Sequence, residues 1–146
     1  MAYYGLGIKE EILASLETAL LKVDGIKFVD YQRVESSGAS PEKYPGLYIN
    51  DVSTDKERLL QDLVKNAFGV QLVCWVWAKK DEDLATVLNA FMRDVKGEVM
   101  ADPNRKHNGD YNAYDTVIEN ISTDAGSRHP QGMAVVNILI PFYSQE

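Results

Sequence analysis

The sequence predicts an α+β protein in which a single, mostly antiparallel β-sheet has two α-helices packed on one face. Two segments repeat apolar residues at helical spacing, one near the N-terminus and one after residue 83. Strand-like segments lie between and after them, and the short connections between these segments favour antiparallel pairing. We expect one domain over residues 1–146, because this length is typical of a single domain.

The first predicted helix covers residues 8–23. Asp24 and Gly25 are expected to end it, since glycine readily adopts the left-handed conformation of a helix cap. Its apolar residues are Ile8, Ile12, Leu16, Ala19, Leu20 and Val23.

Two strands are predicted next. Residues 26–34 are rich in strand formers but polar on both faces, so we expect an edge or partly exposed strand. Residues 35–46 form a loop by their Gly, Ser and Pro content. Residues 47–52 form a second, short strand.

Residues 53–66 fit two different structures. Thr54 and Glu57 have the spacing of a helical capping box. The residues that would share one helical face are Leu59, Leu60, Leu63 and Val64. The segment also leads almost directly into the longest strand, so it would suit the partner strand of a hairpin as well.

The longest predicted strand covers residues 66–78, and one of its faces is wholly apolar. We expect that face to pack on the helices. Its residues are Phe68, Val70, Leu72, Cys74, Val76 and Ala78. The opposite face is apolar only at its C-terminal end, where Trp75 and Trp77 lie.

The second predicted helix begins with the acidic cluster Asp81, Glu82 and Asp83. Negative charge in a first turn interacts favourably with the helix dipole, so capping explains this cluster better than paired catalytic carboxylates do. Asp102-Pro103 ends the helix, because a residue before proline is biased out of the helical conformation. The apolar stripe is Leu84, Val87, Leu88, Phe91, Met92, Val95 and Val99.

Two further strands are predicted over residues 114–121 and 133–143. We expect a common core formed by both helices, the central strand and the last strand. The residues predicted to be mutually buried are Leu16, Leu20, Phe68, Leu72, Val76, Leu88, Phe91 and Ile138.

The composition argues against several classes of protein. A net charge of −7 at pH 7 disfavours binding to nucleic acid phosphates and docking on a membrane through basic residues. No apolar run approaches the roughly 20 residues needed to span a bilayer. The single cysteine, Cys74, excludes an internal disulfide and is typical of a protein in a reducing cytoplasm.

The sequence contains no catalytic or metal-binding pattern. His107 and His129 are isolated in loops, whereas metal sites need several ligands at fixed spacing. Cys74 lies on the apolar face of the central strand, whereas a nucleophilic thiolate needs an electropositive and partly open environment. We therefore expect no enzyme activity, no cofactor and no metal site.

Trp75 and Trp77 allow two interpretations. Either they pack in the core beneath a loop, or they form an oligomer interface, where aromatic residues are enriched.

Two polar loops, residues 104–112 and 123–132, also allow two interpretations. They are solvated connections, or they are docking loops, since loops on a rigid scaffold often carry binding function. Their candidate docking residues are Arg105, Lys106, His107, Arg128 and His129.

The order of segments along the chain has a known counterpart. A first helix precedes a strand and then YPGLYI, a strand entered from a proline. The long strand leads through VCWVWAKKDED into a helix that closes at ADP. The strands TVIENISTDAG and HPQGMAVVNILIPFY follow. In this order and spacing, residues 8–143 resemble the tail terminator (tail completion) proteins of tailed bacteriophages.

The resemblance implies a structural protein of the virion tail, assembled in the host cytoplasm. Members of that family form a six-membered ring that caps the tail tube, stops its polymerisation and presents a surface to the head connector. The implied partners are copies of the chain itself, the tail tube protein and a head-connector or neck protein. DNA would pass through the acidic ring without binding it. The family also favours the strand alternative for residues 53–66.

Two other functions are kept as alternatives. One is a different phage neck or head–tail adaptor protein. The other is a small-ligand-binding accessory domain of a bacterial host, which would use the open sheet face as a pocket. A concave site with buried polar groups would support the second.

Overall fold

Two helices and one mixed sheet make up the regular structure of the described residues. The computed structural model describes residues 6–31, 43–60, 63–79, 83–101, 105–106, 112–113, 115–124 and 130–144. The elements are α1 (Leu6–Leu20), β1 (Phe28–Tyr31), β2 (Gly46–Leu60), β3 (Leu63–Trp77), α2 (Leu84–Ala101), β4 (Arg105–Lys106), β5 (Asn112–Ala113), β6 (Val117–Thr123) and β7 (Gln131–Ser144).

The strand order in the sheet is β1-β2-β3-β7-β5-β4, and β6 also pairs with β7. Every pair is antiparallel except β1 with β2, which is parallel. The predicted α+β class is therefore confirmed. The β1–β2 pair differs from the antiparallel pairing expected of consecutive strands. Residues 32–45 separate the two strands along the chain, which is more than a tight hairpin turn needs.

The ambiguous segment, residues 53–66, is a hairpin, so its helical alternative is wrong. Strands β2 and β3 pair from Gly46 opposite Trp75 to Leu60 opposite Leu63. The second strand, predicted as short, is in fact 15 residues long. Leu59 and Leu60, which mimic a helical face in the sequence, are exposed in the hairpin. Cross-strand pairing with β3 thus overrides the local helical pattern.

The main core lies between the helices and one face of the sheet, which we call the helix face. All eight residues predicted to be mutually buried belong to this one cluster. Val23 is buried as predicted. Helix α1, however, ends at Leu20 rather than at Val23, and a turn follows it. Gly25 closes that turn with a φ of 78°, the left-handed conformation expected there.

Asp83 caps α2, as the acidic cluster predicted. Its carboxylate accepts hydrogen bonds from the Ala85 backbone N–H (3.3 Å) and from the Thr86 hydroxyl (2.9 Å). Asp81 and Glu82 lie outside the described residues. The cap satisfies backbone donors that have no partner within the helix.

Two further contacts tie the N-terminal segment to the sheet. The Tyr31 hydroxyl on β1 donates a hydrogen bond to the Glu17 carboxylate on α1. Burial and this hydrogen bond raise the pKa of Tyr31. The Lys9 ammonium lies 5.2 Å from the centre of the Phe68 ring, a favourable cation–π distance.

Truncation of the core on α2 should be costly. Leu88→Ala and Phe91→Ala are each expected to lower the free energy of unfolding by about 2–5 kcal/mol, through lost transfer energy and a residual cavity. Asn89→Ala is the matched control, because Asn89 is exposed on the same helix. Urea titrations of the three variants measure the difference. Midpoints that coincide with that of Asn89→Ala would contradict this packing of α2.

Candidate interaction surface on the open face and edges of the sheet

The sheet face opposite the helices, called here the open face, carries a second and smaller core. Tyr44, Tyr48, Val73 and Trp75 are buried together at the end of the sheet where β2 begins and β3 ends. We call them the aromatic cluster. Partly buried residues that pack against it are Phe28, Trp77, Met133 and Val135.

Ring contacts give the aromatic cluster its geometry. The ring centres of Tyr44 and Trp77 are 5.7 Å apart, and those of Phe28 and Tyr48 are 5.1 Å apart. Both distances lie in the range of favourable aromatic pairs. The Gln131 amide donates a 3.2 Å hydrogen bond to the Tyr44 hydroxyl. These contacts join β1, β2, β3 and β7 on the open face.

Trp75 and Trp77, the two candidate interface residues, differ in their surroundings. Trp75 is only 2% exposed, and its indole N–H has no hydrogen-bond acceptor. Trp77 is half-buried at the rim of the cluster. Trp75 therefore fills a core within one copy of the chain. A contact of Trp77 with a neighbouring copy stays a prediction.

A row of four amide side chains crosses the middle of the open face. Its members, one each from β2, β3, β7 and β6, are cross-strand neighbours: Asn50, Gln71, Asn137 and Asn120. The Gln71 amide donates to Asn137 Oδ1 at 3.5 Å, and the Asn137 amide donates to Asn120 Oδ1 at 2.7 Å. Asn50 Oδ1 is buried without a hydrogen-bond partner. The sequence does not reveal this row, because strand register is needed to align its members.

A shallow groove follows the amide row. A β-bulge interrupts β2 at Val52, and another interrupts β6 at Glu119. The two bulges lie at nearly the same position along the strand direction. The residues of the groove include Val52, Ser53, Gly69, Glu119, Asn120 and Asn137, and its volume is about 150 Å³. Sites for drug-sized ligands are usually about 300–1,000 Å³. The groove is thus smaller than the pocket that a small-ligand-binding domain would need.

A cavity of about 320 Å³ lies between the turn after α1 and helix α2. Charged side chains of both signs dominate its lining, among them Lys22, Asp24, Arg93 and Asp94. Ligand sites are mostly apolar with a few convergent polar groups. This cavity therefore gives the small-ligand alternative no support.

The sheet has two outer edges that no described strand covers. Strand β1 pairs with β2 only at residues 46–49, so residues 50–60 have no described strand on their outer side. On the opposite edge, β6 pairs with β7 on one side, and no described strand lies on its other side. Such edges present unpaired backbone donors and acceptors to solvent or to another chain.

The predicted docking residues are described only in part. Arg105 and Lys106 were expected in a loop but form strand β4, which pairs with β5 and lies against α1. His107, Arg128 and His129 lie outside the described residues. The docking role of these five residues therefore stays a prediction.

The described residues contain no cluster of three His, Cys, Asp or Glu side chains that could hold a metal ion. Neither described helix combines the length and the apolarity needed to cross a bilayer. Burial raises the pKa of the Cys74 thiol, which is 0% exposed.

Comparison of the chain with protein-family models and with curated proteins finds no match.

The aromatic cluster depends on a glycine. A methyl group at Gly46 would lie 2.0 Å from the Phe28 ring, a distance that forces the ring away. Gly46→Ala should therefore lower the free energy of unfolding by about 1–3 kcal/mol, as overpacking does, and should change tryptophan fluorescence. Gly97→Ala is the control, because nothing lies within 4 Å of a methyl group there. It should stabilise the exposed middle of α2 by up to about 1 kcal/mol. Equal stability of the two variants would contradict the packing of Phe28 on Gly46.

Proposed function

We propose that the protein caps a bacteriophage tail tube as a ring, ends polymerisation of the tube and provides the surface for head–tail joining. The order of elements along residues 8–143 supports this proposal through its resemblance to tail terminator proteins. The α+β sheet with both helices on one face agrees with the fold expected from that resemblance.

One structural observation carries most of the proposal, namely two edges on opposite sides of the same sheet that no described strand covers. A closed ring made from one repeated contact needs two different and complementary patches on every copy. A chain with one binding patch forms pairs, whereas a chain with two patches facing opposite ways forms a ring or a filament. The two edges offer different surfaces on opposite sides of the sheet, and this supports the proposal.

The proposed ring ends polymerisation because its two ends differ. Each ring of a tail tube leaves an end on which the next ring assembles. The cap binds the tube with one end and presents a different surface at the other. Its partners are copies of itself, the tail tube protein and a head-connector or neck protein. The net charge of −7 on each copy favours passage of DNA through the lumen without binding, since like charges repel.

The size of the assembled protein tests the ring. Light scattering of the purified protein over a range of concentrations should reveal a species of six 16.4 kDa copies, about 98 kDa, with ring-shaped particles in electron micrographs. Addition of tail tubes should promote this species if ring closure requires the tube end. A protein that stays monomeric at every concentration, with and without tubes, would overturn the proposal.

Charge reversal tests the predicted docking role of Arg105 and Lys106. The double variant Arg105→Glu/Lys106→Glu should fold normally yet fail to end tails in an assembly extract, giving overlong tubes without heads, because its contact with an acidic partner is lost. Lys22→Glu/Lys96→Glu is the control with the same change in net charge, at two exposed positions of the helical layer. Normal tail lengths and head-joined particles with the Arg105/Lys106 variant would exclude β4 as the docking surface.

A further inference from the structure

The groove on the open face lies between two rows of cross-strand neighbours. One is the amide row. The next row along the strands consists of Ser53, Gly69, Leu139 and Val117. The two β-bulges place one extra residue between the rows at each end of the groove, Val52 on β2 and Glu119 on β6. Bulges are over-represented beside functional sites, where they redirect a side chain.

The floor of the groove consists of backbone rather than side chains. Val70 and Ile138 line the groove although their side chains are buried in the core on the helix face, so they contribute mainly peptide groups. Gly69 adds no side chain. A glycine inside a strand often marks a place where a ligand approaches the backbone closely. The floor is therefore accessible to a flat group.

The polar atoms of the groove are suited to accept hydrogen bonds. Asn137 Oδ1 and Asn120 Oδ1 each accept one hydrogen bond within the amide row, and an amide oxygen can accept two. The Ser53 hydroxyl and the Glu119 carboxylate are further acceptors. Among the described residues that line the groove, Glu119 alone is charged. These groups favour a ligand that is positively charged and has several N–H donors.

The charge around the groove has the same sign as Glu119. Asp55 lies on the open face two residues beyond Ser53, and Asp124 lies on the same face of β6. In the described parts of β2, β3, β6 and β7, the single cation on this face is Lys65, which lies opposite Glu57. The open face therefore attracts a cation towards the groove.

From these observations we propose that the groove binds the guanidinium group of an arginine side chain that a partner protein presents. A guanidinium group is planar, always charged and weakly hydrated, and it has several N–H donors in a fixed fork. It can lie on the backbone floor and donate to Glu119, Asn120 and Asn137 together. Val52 and Val117 beside the groove are 59% and 41% exposed, and they offer apolar surface to the methylene groups of the arginine.

The size of the groove favours a side chain over a free small molecule. Its volume of about 150 Å³ is about five times the volume of a water molecule in the liquid, which accommodates a guanidinium group and part of its stem. A small-molecule site buries about 70–90% of its ligand, and a shallow groove of this size does not. Further affinity then comes from a basic partner surface against the acidic open face. This proposal goes beyond the proposed function and does not require a ring.

Titrations followed by nuclear magnetic resonance test the proposal with three capped tripeptides. Each has glycine on both sides of a central residue, which is arginine, lysine or citrulline, the uncharged analogue of arginine. The arginine peptide should cause saturable shifts in the backbone amide signal of Gly69 and in the side-chain amide signals of Asn120 and Asn137. The lysine peptide should bind about tenfold more weakly, because it lacks the planar fork. Equal binding of the arginine and citrulline peptides would overturn the proposal.

A charge-removing variant tests the role of Glu119. Glu119→Gln should weaken binding of the arginine peptide about tenfold, as expected for the loss of one charge-assisted hydrogen bond. Glu57→Gln is the matched control, because Glu57 is exposed on the same face but four residues beyond Ser53, and it should bind the peptide as the unchanged protein does. Equal affinities of the two variants would also overturn the proposal.

A second variant fills the groove without a change in charge. A methyl group at Gly69 would lie 2.7 Å from Ser53 Oγ, so Gly69→Ala displaces the hydroxyl and should abolish binding of the arginine peptide. Circular dichroism establishes that the variants fold, and if Gly69→Ala does not, Glu119→Gln decides. Free arginine is the last probe. Tighter binding of free arginine than of the arginine peptide would overturn the assignment to a partner protein and indicate a small-molecule ligand.

Discussion

Continuous pairing of β3 on both sides is the constraint on which the rest of the structure depends. Strand β3 pairs with β2 from Leu63 to Trp75 along one side and with β7 from Val64 to Trp77 along the other. A shift of one residue would move every side chain of the strand to the other face. The register of β3 therefore determines three things at once: which residues contact the helices, which residues form the aromatic cluster and which residues align in the amide row.

The two faces that result are unequally covered. On the helix face, both helices bury a continuous apolar layer. On the open face, the buried core is the small aromatic cluster, at the end of the sheet where β1 joins β2. The other end consists of the paired distal parts of β2 and β3, and there β2 is exposed on nearly every residue. Burial at that end is confined to β3 and β7, where Val64, Phe68 and Phe142 stay buried. Surface suited to contacts with another chain therefore lies on the distal part of β2 and along the edges.

Several features were predictable from local patterns. The alternation of apolar residues along residues 66–78 and the stripe on α2 identify the helix-face core, because periods of two and of about 3.6 residues each place one face inward. Asp83 was recognisable as a cap from its position before an apolar stripe. The tryptophans were recognisable as unusual, but the sequence left core packing and interface as equal alternatives. Burial of Trp75 depends on Tyr44 and Tyr48, which pairing with β2 brings beside it.

The sequence by itself determined the class of the fold, the two helices, the central strand and the membership of the main core, since these follow from local periodicity and from the size of apolar side chains. Tertiary structure alone decided that residues 53–66 form a hairpin, that β1 and β2 are parallel and that four amides align across four strands. It also decided which strand edges have no neighbouring strand among the described residues. These properties depend on which distant segments pair and in what register, and that choice is made by the total free energy of packing rather than by any local pattern.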